Sequence, residues 1–199
     1  MKNLYLIRHA KSDWSDESKS DFERGLNKRG QKAIFTMADA LKEKKIMPDL
    51  ILSSSAKRAQ LTAKGLAKNI GYSGKIKYSD TLYMAEPLHI ISIIKETKDK
   101  YNNIFIVGHN PEITELTDLM VDDYIDNIPT LGIVSLHIPI KHWKKFKPEK
   151  AKFDFFIYPK MYQSVFYHFH SNFSIESFSF ENGSTITSIS SSLYRNGNP

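Results

Sequence analysis

The chain has 199 residues, of which 41% are hydrophobic and 25% are charged, and its net charge is +6. These values are typical of one globular domain with a sizeable core, and they argue against a disordered chain. Cysteine is absent, which excludes disulfides, thiolate catalysis and cysteine-ligated zinc.

The sequence gives little sign of a membrane or nucleic-acid partner. It has neither a signal-peptide pattern nor a run of about 18 apolar residues, so we expect a cytoplasmic protein. The densest basic patch is "KHWKKFKPEKAK", Lys141 to Lys152. It lacks a nucleic-acid fold signature, so we favour a solvated loop whose aromatic side chains, Trp143 and Phe146, cover a sheet edge.

Apolar runs predict strands in chain order. Four runs are nearly continuous, as in strands covered on both faces: 3–7, 49–53, 103–108 and 132–138. Two weaker candidates are 75–78 and 153–157. The pattern therefore predicts one sheet with buried central strands.

Helical periods lie between these strands. Apolar stripes run from Ala33 to Leu41 and from Ala59 to Ile70, while Pro87 and Pro111 open two further helices. Strands that alternate with helices indicate an α/β protein, here a three-layer α/β/α arrangement with a mostly parallel central sheet.

The composition changes at Gln163. Residues 163–199 contain ten serines and one basic residue, so we divide the chain into a main domain, 1–162, and a Ser/Phe-rich C-terminal extension, 163–199. The stretch "FSIESFSFENGSTITSIS" fits either a hairpin turning at Asn182-Gly183, with Phe173 and Ile186 among its apolar residues, or a partly disordered extension. We expect Arg195 to Pro199 to be frayed.

Basic side chains follow three of the predicted strands. Arg8 and His9 follow the first strand, Arg58 lies in the first turn of the helix after the second, and His109 follows 103–108. Because ligands bind beyond the carboxyl ends of parallel strands, these four residues predict a positively charged pocket for a phosphoryl group. Among arginines a histidine is biased toward its neutral form, which is nucleophilic.

Each of these residues has an ordinary structural explanation when taken alone. An Arg-His pair after a strand is usually part of a loop, Arg58 alone would be a surface arginine, and "GHNP" is usually a helix start with Asn110 as the N-cap. Their joint occurrence at strand ends makes coincidence the weaker explanation.

Three motifs carry a family resemblance over residues 1–162. "LIRHAKSDW" (6–14), "SSSAKRAQLTA" (53–63) and "IFIVGHNPEI" (104–113) resemble the histidine phosphatase superfamily, with Arg-His-Ala where many members have Arg-His-Gly. With "DFERGLNKRG" (21–30), "LYMAEP" (82–87) and "FFIYPK" (155–160), the chain is most similar to SixA-type phosphohistidine phosphatases. The resemblance implies a phosphoglycerate mutase-like fold.

The resemblance also implies a two-step phosphoryl transfer. His9 would attack phosphorus and become phosphorylated, while Arg8, Arg58 and His109 hold the equatorial oxygens and offset their charge in the transition state. Water would then release phosphate. No metal or cofactor is expected, since the arginines supply the positive charge. Phosphate or sulfate is expected to bind in this site.

Three further residues are candidate substrate-binding groups. Glu86 is either a general acid or the N-cap before Pro87. Arg24 matches the SixA-type arginine that approaches phosphate, although Gly25 replaces the usual proline. Ser12 would donate its hydroxyl to the phosphate.

Three functions remain open. The first is hydrolysis of phosphohistidine on a protein, such as a histidine phosphotransfer domain. The second is hydrolysis of a small phosphoester with Glu86 as the acid. The third is a module that binds phosphate or phosphoproteins without turnover.

Overall fold

The structure is a computed structural model that describes residues 1–122 and 124–162, together with the backbone of 175–179 and 185–189. The chain forms two compact units, Met1–Pro159 and Lys160–Pro199. In the second unit, strands β7 (Ile175–Ser179) and β8 (Thr185–Ile189) pair antiparallel. The predicted turn at Asn182-Gly183, Phe173 and Arg195 to Pro199 lie outside the described residues.

The first unit alternates strands and helices as the sequence predicts. Its strands are β1 (Lys2–Arg8), β2 (Leu50–Ser54), β3 (Ile76–Ser79), β4 (Asn103–Gly108), β5 (Ile133–Ile138) and β6 (Lys152–Ile157). Its helices are α1 (Lys28–Glu43), α2 (Lys57–Ile70), α3 (Pro87–Lys95) and α4 (Glu112–Asp118). Both weaker strand candidates are therefore strands.

The six strands form one sheet in the order β3-β2-β4-β1-β5-β6. The first four are parallel, β5 runs antiparallel to β1, and β6 runs antiparallel to β5. The predicted α/β class with a mostly parallel sheet is confirmed. This topology brings the carboxyl ends of β1, β2 and β4 to the same edge.

Helices cover both faces of the sheet. Leu4 and Leu6 of β1 face one apolar layer together with Ile94 of α3 and Leu116 of α4. Because side chains alternate along a strand, Tyr5 and the other intervening residues face the opposite layer, where α1 packs on α2. Burial on both faces explains the continuous apolar runs.

Local signals set the helix ends near the candidate site. The side chain of Asn27 accepts a hydrogen bond from the Gly30 N–H at 2.8 Å and caps α1. Gly30 packs against the backbone of Lys11, so closely that a Cβ atom there would overlap the Lys11 carbonyl oxygen. The start of α1 is thereby fixed against the loop that follows β1.

The basic patch at 141–152 divides between core and solvent. Trp143 and Phe146 are fully buried in the core cluster that contains Ile94, whereas Lys144 and Lys145 are exposed. The indole N–H of Trp143 donates to the Tyr101 carbonyl at 2.8 Å. None of the helices in the described part of the chain is long and apolar enough to span a membrane.

Candidate active site

Arg8 and His9 lie where β1 ends, between β4 and β5. The His9 N–H donates to the Gly108 carbonyl at 3.0 Å, and the Leu131 N–H is 3.1 Å from the carbonyl oxygens of both Arg8 and His9. Leu131 adopts a φ of 59°, in the left-handed region that is uncommon for a residue with a side chain. The backbone of the pair is therefore held by β4 on one side and by the segment that precedes β5 on the other.

The His9 ring is held in one tautomer. Its Nδ1 lies 2.8 Å from the carbonyl oxygen of Ala10. A carbonyl only accepts, so Nδ1 carries the proton and Nε2 keeps a free lone pair. Burial, with smaller contributions from Arg58 and Arg8, lowers the pKa of His9 to about 4 although the Ala10 carbonyl opposes this. His9 is thus a neutral imidazole at neutral pH.

Arg58 is in direct contact with that lone pair. Its Nε–H donates to Nε2 of His9 at 3.2 Å, and the residue is only 7% exposed. The rest of the guanidinium is held by Asp21: Nη1 donates to the Asp21 carbonyl at 2.5 Å and Nη2 to Oδ2 at 2.9 Å. The first turn of α2 therefore presents a fixed, buried cation to His9.

Asp21 is a member of the site that the sequence did not single out. Its Oδ2 also accepts from the Tyr83 hydroxyl at 2.8 Å, and its Oδ1 accepts from Nη1 of Arg24 at 3.2 Å. Partial burial works against its ionisation, but hydrogen bonds from Tyr83 and Arg58 outweigh this and lower the pKa of Asp21. Asp21 is held as a carboxylate.

His109 follows β4, and its ring centroid lies 5.0 Å from that of His9. Nε2 lies 2.8 Å from Oγ of Ser54, whereas Nδ1 is buried and has no hydrogen-bond partner within the described residues. The Tyr83 ring packs edge-on against it at 5.4 Å. Burial, then the neighbouring His9 and Arg58, lower the pKa of His109 to about 3.

The Arg8 side chain is held by the segment before β5. Nη1 donates to the Ile128 carbonyl at 2.7 Å and to Oδ1 of Asn127 at 3.3 Å. Its Nε is buried without a partner among residues 1–122 and 124–162. The Asn110 amide nitrogen donates to the same two acceptors. The ordinary structural explanation of "GHNP", with Asn110 as the N-cap, does not hold, because Pro111 occupies the N-cap position of α4.

The arrangement suits a tetrahedral anion. His9, Arg58 and His109 come together, and Arg8 is near enough to lower the pKa of both histidines. Two buried nitrogens, Arg8 Nε and His109 Nδ1, have no protein partner in the described part of the chain. An oxyanion between these groups would accept from them and sit against the lone pair of His9.

Comparisons with known proteins agree with this geometry. The profile of the histidine phosphatase superfamily (branch 1) matches residues 4–83, which include Arg8, His9 and Arg58. An uncharacterized protein of Mycobacterium tuberculosis H37Rv is 30% identical over 152 residues, which span 71% of this chain and 92% of that protein. This chain belongs to the histidine phosphatase superfamily.

Solved structures place this histidine phosphatase superfamily member among SixA-like proteins. A protein from Agrobacterium tumefaciens assigned as the phosphohistidine phosphatase SixA matches with TM-score 0.68 and 27% identity, over 78% of this chain and 97% of that one. The protein histidine phosphatase SixA complexed with tungstate matches with TM-score 0.70 and 16% identity, over 81% and 99%. Other matches include mycobacterial glucosyl-3-phosphoglycerate phosphatase.

Among the described residues, the remaining predicted residues of this superfamily member make no hydrogen bond to His9. Arg24 is linked to His9 through Asp21 and Arg58, and its guanidinium stacks 3.8 Å from the centroid of the Trp14 ring. Ser12 is buried, and its Oγ accepts from the Trp14 indole at 3.0 Å. Glu86 is exposed and occupies the N-cap position of α3, but its side chain accepts no capping hydrogen bond.

Three contributing residues were missed by sequence reasoning. Asp21 lies in the loop "DFERGLNKRG", Tyr83 in "LYMAEP", and Ser54 at the end of β2, all within stretches that carried the resemblance. Ser54 had a usable signal, because it ends a strand as Arg8 and Gly108 do. Among the described residues, no group of three or more His, Asp or Glu side chains is arranged to hold a metal ion.

Proposed function

We propose that this chain is a phosphatase that hydrolyses phosphohistidine on proteins through a phosphohistidine formed on His9. The observation that carries the proposal is the state of His9: a neutral ring whose Nδ1 proton is fixed on Ala10 and whose Nε2 lone pair faces Arg58. Such a nitrogen is a competent nucleophile.

The first step transfers the phosphoryl group to His9. The Nε2 lone pair forms the N–P bond as the bond from phosphorus to the leaving nitrogen breaks, and that nitrogen keeps the electron pair. Arg58 gives up its 3.2 Å hydrogen bond to Nε2, and with Arg8 and His109 it donates to the phosphoryl oxygens. Water then attacks phosphorus, and Nε2 leaves with its lone pair restored.

The state of the carboxyl groups supports phosphohistidine as the substrate. Asp21 is held ionised by three side-chain donors, so it is unsuited to protonating a leaving group. Glu86 is exposed, and its side chain forms no hydrogen bond within the described part of the chain. An imidazole leaves from phosphorus more readily than an alkoxide, and it therefore needs less help from an acid.

Exposed aromatic side chains beside the site support a protein substrate. Trp14 is 63% exposed and stacks with Arg24, while Phe22 follows Asp21 and packs against Tyr83 at 5.0 Å between ring centroids. Tryptophan, phenylalanine and arginine are enriched at protein interfaces. A phosphorylated histidine-containing phosphotransfer domain is a partner of the expected kind, and the cytoplasmic location stays a prediction.

The test is to trap the intermediate. The protein is incubated with a labelled phosphorylated phosphotransfer domain and quenched, and the label is mapped. We expect an acid-labile, alkali-stable phosphate on His9 and release of inorganic phosphate. Release by His9→Ala at the wild-type rate would contradict the proposal, and tight phosphate binding with no phosphoenzyme would favour the non-catalytic binding module.

A small phosphoester is the second candidate substrate. Glu86 lies three residues after Tyr83, whose ring contacts His109, so the same segment would present an acid near the leaving group. The test compares wild type with Glu86→Gln on sugar and nucleotide phosphates. A rate lowered only for these esters supports this role for Glu86, whereas an unchanged rate removes Glu86 as the acid.

A further inference from the structure

Ser54 makes a contact that the two-histidine, two-arginine scheme does not use. It is the last residue of β2, it is fully buried, and its Oγ lies 2.8 Å from Nε2 of His109. The backbone N–H of Ala56 donates to the same oxygen at 3.2 Å. Within the described residues, His109 Nε2 is the only acceptor available to the Ser54 hydroxyl proton.

Of the two possible proton arrangements, only one pairs both the Ser54 hydroxyl proton and Nε2 of His109 in a hydrogen bond. If Nε2 carried the ring proton, Ser54 Oγ would accept from both His109 and Ala56, and its own proton would be buried without an acceptor, which costs free energy. If Ser54 donates instead, its proton and the Nε2 lone pair are both paired. The ring proton of His109 then sits on Nδ1.

We infer that Ser54 is a positioning residue that fixes the proton of His109 on Nδ1, so that this neutral ring donates to a phosphoryl oxygen. Nδ1 is the buried nitrogen that has no partner in the described part of the chain. A lone pair at that position would repel an oxyanion, whereas an N–H there would bind it. The tautomer is deduced from contacts alone, and its catalytic meaning rests on the proposed function.

Protonation of the ring is not an alternative source of the donor. Burial, with the nearby His9 and Arg58, lowers the pKa of His109 to about 3, so the ring has a single proton at neutral pH. The position of that proton decides whether His109 assists or opposes the anion. A buried serine is thereby able to control a catalytic step without touching substrate.

The direct test is NMR of the ring nitrogens in isotopically labelled protein, with His109 assigned by comparison with His109→Gln. We expect Nδ1 of His109 to resonate in the protonated range and Nε2 in the unprotonated range, and Ser54→Ala to move both toward a mixed population. A wild-type ring protonated on Nε2 would overturn the inference. The wild-type spectrum needs no enzymatic activity.

Kinetics supply the second test. In Ser54→Ala we expect kcat and orthovanadate affinity to fall by roughly tenfold, the equivalent of one lost neutral hydrogen bond. Ser54→Thr, which keeps the hydroxyl, should recover most of the loss. Ser53→Ala is the matched control, because this neighbour is equally buried but donates to the Ser54 carbonyl instead.

The two tests separate the inference from the proposed function. An Nδ1 proton in a wild-type protein that forms no phosphoenzyme supports the tautomer and contradicts the phosphatase. If the wild type is active and Ser54→Ala matches Ser53→Ala in kcat and vanadate affinity, the role of Ser54 is contradicted and the phosphatase proposal is not.

Discussion

Arg58 Nε donates to His9 Nε2 at 3.2 Å, so a buried guanidinium rests on the ring nitrogen that would attack phosphorus. Asp21 holds the other end of that guanidinium through its backbone carbonyl and its carboxylate. The position of Arg58 relative to the nucleophile therefore depends on a loop residue that itself carries a negative charge close to the anion site.

Replacement of Asp21 should separate catalysis from anion binding. In Asp21→Asn we expect kcat to fall by about tenfold because Arg58 loses a charged hydrogen-bond partner. Inorganic phosphate should bind more tightly, since a negative charge beside the anion is removed. Steady-state kinetics and calorimetric titration with phosphate measure both effects, and weaker phosphate binding would contradict the explanation. Asp16→Asn, in the same loop, should change neither quantity.

The buried histidines predict a specific dependence of stability on pH. The pKa of His9 is about 4 in the folded protein and that of His109 is about 3, against 6.5 for an ordinary histidine. Below pH 6.5 the unfolded chain binds protons that the folded protein does not, so this stability is complete above that pH and is lost as pH falls toward about 4 for His9 and about 3 for His109. Each histidine contributes up to about 1.4 kcal/mol per pH unit.

Urea unfolding at a series of pH values measures this slope. His9→Asn should reduce the slope, because one of the two groups is removed, and an unchanged slope would count against the neutral state of His9. By the same reasoning, phosphoenzyme formation should be independent of pH near neutrality, where His9 is already deprotonated.

Gly30 should tolerate no side chain. A Cβ atom there would overlap the Lys11 carbonyl oxygen, a backbone atom in the loop that follows His9. We expect Gly30→Ala to lower the free energy of unfolding by about 1–3 kcal/mol and to reduce activity, because the loop must move. Thermal unfolding and phosphatase assays report the two effects. Gly25→Ala is the control, since its Cβ meets only Leu61 Cδ1 at an ordinary 3.6 Å.

Trp14 should matter for a protein substrate and not for a small one. Trp14→Ala removes an exposed ring that stacks on Arg24, so the rate with a phosphorylated phosphotransfer domain should fall by about tenfold through KM. The rate with phosphoramidate should change little. Equal losses with both substrates would show that Trp14 acts by holding the loop. Leu119→Ala, which also removes an exposed apolar side chain, controls for general surface effects.

The sheet and its strand ends could be predicted from sequence because both follow from local patterns. Runs such as 103–108 mark strands covered on both faces, and the carboxyl ends of parallel strands share one edge. Those two rules are sufficient to bring His9, Arg58 and His109 together. The antiparallel direction of β5 and β6 could not be predicted, because the apolar pattern of a strand does not give its direction in the sheet.

The parts that could not be predicted depend on side-chain direction. Asp21 reaches Arg58 from a loop whose path is set by tertiary contacts, including the Phe22 carbonyl that accepts from the Lys57 N–H. Asn110 has the residue type of an N-cap, yet its amide nitrogen donates to Asn127 and Ile128, and its side-chain oxygen caps no N–H group of α4. Residue type limits which hydrogen bonds such a side chain can form, and tertiary contacts determine which of them it does form.

β1 lies in the middle of the sheet, although both of its neighbours come from much later in the sequence. Arg8 is in register with Gly108 of β4, and Ile7 with Ile133 of β5. The anion site therefore cannot exist in any folding intermediate that lacks either partner strand, and such long-range pairing makes folding slow. Phosphate ions added during refolding would bind only the completed topology, and they would act by slowing unfolding without accelerating early collapse.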